Sequence, residues 1–86
     1  MTEDERKLVG KVVNYFTKIG VAIVELSDSL AVGDRISVEG ATTNLQQTIE
    51  SMEIEHKSIE KARKGDSIGL KIIERCRKGD SVYKIG

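Results

Sequence analysis

Cysteine, histidine and aromatic side chains are nearly missing from this chain of 86 residues, which holds one Cys, one His and three aromatics, Tyr15, Phe16 and Tyr83. Each shortage closes a class of function. A lone Cys76 excludes an internal disulfide framework and fits a reducing compartment. A nucleophile–base pair made of His56 and Cys76 would need contact at ~3 Å, and nothing in their spacing argues for it. One His plus one Cys falls short of the ligand set of a structural zinc site, and the scattered Asp residues lack the D-x-D-x-D-G spacing of a calcium loop. Three aromatics make a poor base-stacking platform. No apolar run approaches the ~20 residues of a bilayer span. The start, MTEDERK, lacks the basic-then-apolar plan of a signal peptide, so a cytoplasmic location is expected. On these grounds no catalytic residue, metal, cofactor or membrane partner is expected.

What is present describes a small soluble domain. A chain this short buries a single core and shields roughly 60% of its unfolded surface. Hydrophobic residues at 38% and charged residues at 33% exclude both a disordered and a membrane-embedded chain. The formal net charge of zero hides an asymmetry: residues 1–56 carry five basic and ten acidic side chains, a balance of −5, and residues 57–86 carry nine and four, a balance of +5. Folding can segregate these halves into two faces or interleave and cancel them.

Along the chain, residues 1–7 offer no packing side chain after Met1 and are expected to be a flexible tail, leaving 8–86 as one domain. LVGKVVNYF (8–16) and GVAIVEL (20–26) are rich in β-branched and aromatic residues and read as a hairpin turning through Thr17–Gly20. RISVEG (35–40) is a short strand with Ile36 and Val38 on one face, ended by Gly40. LQQTIESMEIEH (45–56) has no Gly or Pro, so helix competes. Leu45, Gln47 and Ile49 alternate, whereas Met52 and Ile54 fall on the other parity, which favours a long strand with a bulge near Glu50–Met52. Its Glu50, Glu53 and Glu55 suit a wet sheet face better than acid–base work. KSIEKARKG (57–65) places Ile59 and Ala62 at i, i+3 before a Gly stop, predicting a short helical turn near residues 58–64. Ile68, Leu70 and Ile72 alternate strictly with Gly69 opposite, and SVYKI (81–85) is the last strand. Six short strands separated by glycine turns predict an all-β, closed barrel, because closure removes aggregation-prone edges.

The string RKGDS occurs twice, at Arg63–Ser67 and Arg77–Ser81, each time before an apolar β-former, and a shorter relative, Val32-Gly33-Asp34, precedes Arg35 and Ile36. Glycine tolerates left-handed φ and an aspartate after it accepts backbone N–H bonds, so Gly33, Asp34, Gly65, Asp66, Gly79 and Asp80 read as structural turns that launch strands.

The order of these features resembles a known family. VGKVVNYFTKIGVAIVEL, LAVGDRISVEG, IEKARKGDSIGLKI and CRKGDSVYKIG, spanning residues 9–86, are similar to the second domain of elongation factor Tu and its relatives. The chain is also similar to the small barrel that ends some collagenase-like peptidases, several of which resemble RNA-hydroxylation factors more than true proteases. The resemblance implies a six-stranded Greek-key barrel of the elongation-factor domain 2 type, in a protein of translation or RNA modification. It imports no GTPase: the G-x-x-x-x-G-K-[ST] phosphate cradle is absent, since Gly10-Lys11 is followed by Val12 and Glu5 stands where a glycine is required.

Two non-catalytic functions then compete. A binding module docking on a protein partner of the translation or RNA-modification machinery would replace in trans a barrel that relatives carry in cis. Alternatively, the late cations, with Arg63, Lys64, Arg77 and Lys78 at the repeated turns, bind tRNA or rRNA weakly and in a salt-sensitive way.

Overall fold

The first hairpin follows from composition and sets the register of the rest. In the computed structural model, which describes residues 6–85, β1 (Arg6–Phe16) and β2 (Val21–Leu26) pair antiparallel around a turn in which Gly20 has φ 67°. The expected tail over residues 1–7 lies mostly outside the described residues. Arg6 and Lys7 belong to β1, paired with Ile85 and Lys84. Two register shifts in β1, between Leu8 and Gly10 and between Val12 and Asn14, let it curl while Val9 and Val12 both stay buried.

The remaining strands are β3 (Leu30–Ala31), β4 (Arg35–Glu39), β5 (Asn44–Thr48), β6 (Met52–Ile54), β7 (Lys57–Ile59), β8 (Lys61–Ala62), β9 (Ser67–Lys71) and β10 (Ser81–Ile85). One sheet runs β5-β4-β10-β1-β2-β9-β6-β7, and β3 pairs with β8 in a second. The molecule is all-β, with no helix among the described residues. The ladders differ from the expected ring of six strands. They make an open order of eight plus a pair, and no ladder joins the end strands β5 and β7 among the described residues. A side chain instead links β5 to the end of β9: buried Gln47 donates to the carbonyl of Lys71, the last residue of β9, and accepts the N–H of Ile73 just past it, both at 2.8 Å. The core between the curled faces is aliphatic, with Val24, Ile36, Val38, Ile68, Leu70 and Val82 fully buried.

Two expectations need correction. The helical turn near 58–64 is replaced by β7 and β8. Ile59 and Ala62 lie three apart because Glu60 stands between two short strands, one pairing with β6 and the other with β3, and both apolar side chains still reach the core. The single bulged strand over 45–56 is two strands separated by residues 49–51. The break occurs where Ile49 turns its backbone to another partner, donating to the carbonyl of Asp34 and accepting the N–H of Gly33, both at 2.9 Å.

The strand order also settles the charge asymmetry. Strands β7, β9 and β10 of the basic half are interleaved among β1, β2, β4 and β6 of the acidic half, so the two halves are not two separate bodies.

Candidate functional site

The three Gly-Asp pairs fold into one repeated corner. The carbonyl of Ala31, Arg63 or Arg77 accepts the N–H of Asp34, Asp66 or Asp80 at 3.1, 3.0 and 3.1 Å, and the intervening glycine has φ of 99°, 95° and 98°. That combination is a type II turn, whose third position favours glycine. The Asp carboxylate then accepts the N–H of the first residue at 2.9, 3.0 and 2.8 Å. Each corner docks by two backbone bonds on one buried residue of another segment. The Gly N–H donates to Ile49, Leu26 or Val12 at 2.9, 3.0 and 2.7 Å, and the N–H of the same residue returns to the Asp carbonyl at 2.9, 2.9 and 2.8 Å. Gly and Asp are thus occupied by the turn, while the preceding Lys64 and Lys78 are left exposed.

The third corner is the most enclosed. Asp80 is 5% exposed and packs where Gly40 has no side chain, since a Cβ at Gly40 would collide with its carboxylate. Cys76 is buried nearby, and burial first, then the charge of Asp80, pushes its thiol up to about 11. A thiol that stays protonated at neutral pH is a packing group rather than a nucleophile. His56 sits exposed in the β6–β7 turn. Among the described residues no group of three or more metal-ligating side chains converges, and no helix is long and apolar enough to cross a membrane.

The four candidate cations are exposed but do not merge into one patch. Ser67, Glu25, Lys11 and Ser81 stand in one row across β9, β2, β1 and β10, which puts the two RKGDS strings about 14 Å apart at ~4.8 Å per strand. Strands β9 and β10 run in opposite directions, so their corners leave this row on opposite sides, one docking on Leu26 and the other on Val12. Lys64 alone of the four lines the shallow groove of about 490 Å³ that also holds Lys11, Glu25 and Ser81. Among the described residues, ion pairs engage Arg6 with Glu39, Lys7 with Asp28 at 2.6 Å and Lys84 with Asp34 at 3.4 Å, and none engages these four. The Lys7 contact, followed by the backbone N–H of Ser29, holds the Asp28 carboxyl below its usual range.

A second groove escaped the sequence reading. Its volume is about 530 Å³, on the outer face of β2, β9 and β6. Ile23, Gly69 and Glu53 are register partners across these strands, and the neighbouring row is Phe16, Val21 and Lys71. The result is a trough floored by Gly69 and Ser67, with Val21 and Ile23 on one side, Glu53 and Glu55 on the other, and Lys71 with exposed Phe16 and Ile19 at the β1–β2 end. The turn that carries Glu55 and His56 has φ of 52° and 68°, positive values at two residues with side chains. The signal was present in Gly69 at an outward position of a strand, which marks a close approach or a hollow.

No protein-family model matches the chain. It is 42% identical over 76 residues, 87% of its length, to an uncharacterized protease of Methanocaldococcus jannaschii, and 38% identical over 68 residues, 77% of its length, to a collagenase of Porphyromonas gingivalis. Each match takes in 19% of the relative, so the chain spans about a fifth of the length of the curated relatives it matches. The crystal structure of the C-terminal domain of a Geobacillus thermoleovorans protein named as a U32 peptidase aligns with a TM-score of 0.87 over 93% of both chains, at 22% identity. The chain has the fold of that C-terminal domain. Of the two resemblances read from the sequence, these findings support the one to the terminal domain of collagenase-like peptidases and do not extend to elongation factor Tu. The relatives carry the stretch that matches this chain beside a much longer stretch of their own.

Proposed function

We propose that this chain is a non-catalytic binding domain that docks on a protein partner, in the way the corresponding fifth of its peptidase-named relatives is joined to the rest of those chains. The observation that carries this reading is the match of nearly the whole chain to about a fifth of each relative. Chemistry, in such an arrangement, belongs to the larger portion, and the small domain supplies recognition. The partner we infer is a peptidase-type protein, in the context of RNA modification or translation that the sequence resemblance implied.

RNA contact is the second reading, favoured by Lys11 and Lys64 lining one groove and by the exposed cations of the repeated corners. Glu25 in the same groove and the separation of the two corners weigh against a continuous phosphate track. The test is retention from cell extract on the immobilised chain with and without nuclease. A stoichiometric protein that stays after nuclease treatment supports docking. Material lost on nuclease treatment and with rising salt, and lost again when Arg63, Lys64, Arg77 and Lys78 become Ala, overturns it in favour of RNA.

A further inference from the structure

We propose that the trough over β9 is a receptor for a lysine or arginine side chain, presented beside apolar residues by a segment of the protein partner. This rests on the docking reading and names its surface. Three separate observations converge on the trough. First, the trough sets apolar against acidic side chains: Ile23 faces Glu53 across Gly69, Glu55 follows in the β6–β7 turn, Val21 stands beside Lys71 in the neighbouring row, and Phe16 and Ile19 are exposed by 43% and 60% at that end. A long basic side chain matches this profile, since its methylene stem covers apolar surface while its head group reaches carboxylates.

Second, the floor is open because residue 69 is glycine, and no backbone requirement explains that choice. Its φ is not left-handed, and a Cβ there would make ordinary contacts with Val21 Cγ1 at 3.4 Å and Glu53 O at 3.8 Å. The missing side chain therefore serves the hollow. Third, the β6–β7 turn holds Glu55 and His56 at positive φ, a conformation that two-residue hairpins ordinarily give to Asn and Gly. Both side chains line the trough. Backbone strain of this kind concentrates at binding sites. Glu53 and Glu55 outnumber Lys71 in the trough and disfavour a phosphate backbone, whereas Lys11 and Lys64 outnumber Glu25 in the groove between β1 and the second corner.

The probe is a fluorescein-labelled peptide of alternating Leu and Arg, with a Leu-Glu peptide as its counterpart, followed by anisotropy over a range of salt. Saturable binding of the Leu-Arg peptide alone is expected, weakened about tenfold by Glu53→Lys and by Gly69→Val, and unchanged in a Lys11→Ala/Lys64→Ala double variant. Equal binding of both peptides, no saturable binding of the Leu-Arg peptide, or full binding by folded Gly69→Val overturns the proposal. Glu53 is exposed, so Glu53→Lys carries the test alone where Gly69→Val fails to fold. Retention of a protein from extract that ignores both trough variants leaves docking in place and removes the trough from it. RNA retention lost only in the lysine double variant overturns both.

Discussion

The three Gly-Asp corners and the β6–β7 turn meet one backbone demand, a left-handed φ, in opposite ways. Gly33, Gly65 and Gly79 hold φ of 95° to 99° with nothing within 4 Å of where a Cβ would stand, whereas Glu55 and His56 hold φ of 52° and 68° with side chains in place. The corners have open space around them and use none of it, which is the mark of parts chosen for conformation. The turn accepts strain of order 1–2 kcal/mol per residue in exchange for two side chains at the lip of a trough. One set of turns is explained by folding. The other needs a surface role.

Breaking the corners gives the largest expected effects. Asp80→Ala removes the buried acceptor of the Arg77 N–H and empties the space against Gly40, so urea denaturation should show a loss of about 2–3 kcal/mol. Asp66→Ala, at the more open second corner, should cost less in the same measurement, and an equal loss at both would remove burial as the reason. Gly33→Ala, Gly65→Ala and Gly79→Ala should each cost about 1–2 kcal/mol through φ alone and add nearly independently, because each corner docks on a different residue.

Smaller effects sharpen the other side of the comparison. His56→Gly should raise stability by about 0.5–1 kcal/mol while weakening whatever the trough holds, a stability gain coupled to a binding loss that no corner variant reproduces. Cys76 offers a check that the third corner is sealed. Its thiol is raised from 9.0 to about 11, so the unfolded chain gives up this proton first as pH rises. The contribution to stability is therefore fully present below about pH 9 and is lost between pH 9 and 11. Thiol labelling at pH 8 should be slow in the native chain and fast in denaturant.

Much of the fold was legible because short-range chemistry decided it. The hairpin of β1 and β2, the strand over Arg35–Glu39, the alternation of Ile68, Leu70 and Ile72 and the final strand over Ser81–Ile85 follow from β-branched residues between glycine turns. Local pattern misled where a contact distant in sequence took over. Ile49 left its strand because Gly33 and Asp34 claimed its backbone, and Ile59 and Ala62 mimicked a helical period across two strands. The site was the least legible part. The repeated cations stand out in the sequence, yet the sheet sends Arg63 with Lys64 and Arg77 with Lys78 to opposite sides of a row. Gly69, Glu53, Glu55 and Phe16, which share the trough, are spread over residues 16–69 and become neighbours only through register.

The most direct test follows backbone amide shifts of the isotopically labelled chain during titration with the Leu-Arg peptide. Saturating changes at Ser67, Gly69 and Glu53–His56, with Gly65 and Gly79 unmoved, are the predicted result. Changes confined to the Lys11, Lys64 and Gly65 region, or none that saturate, would contradict the account.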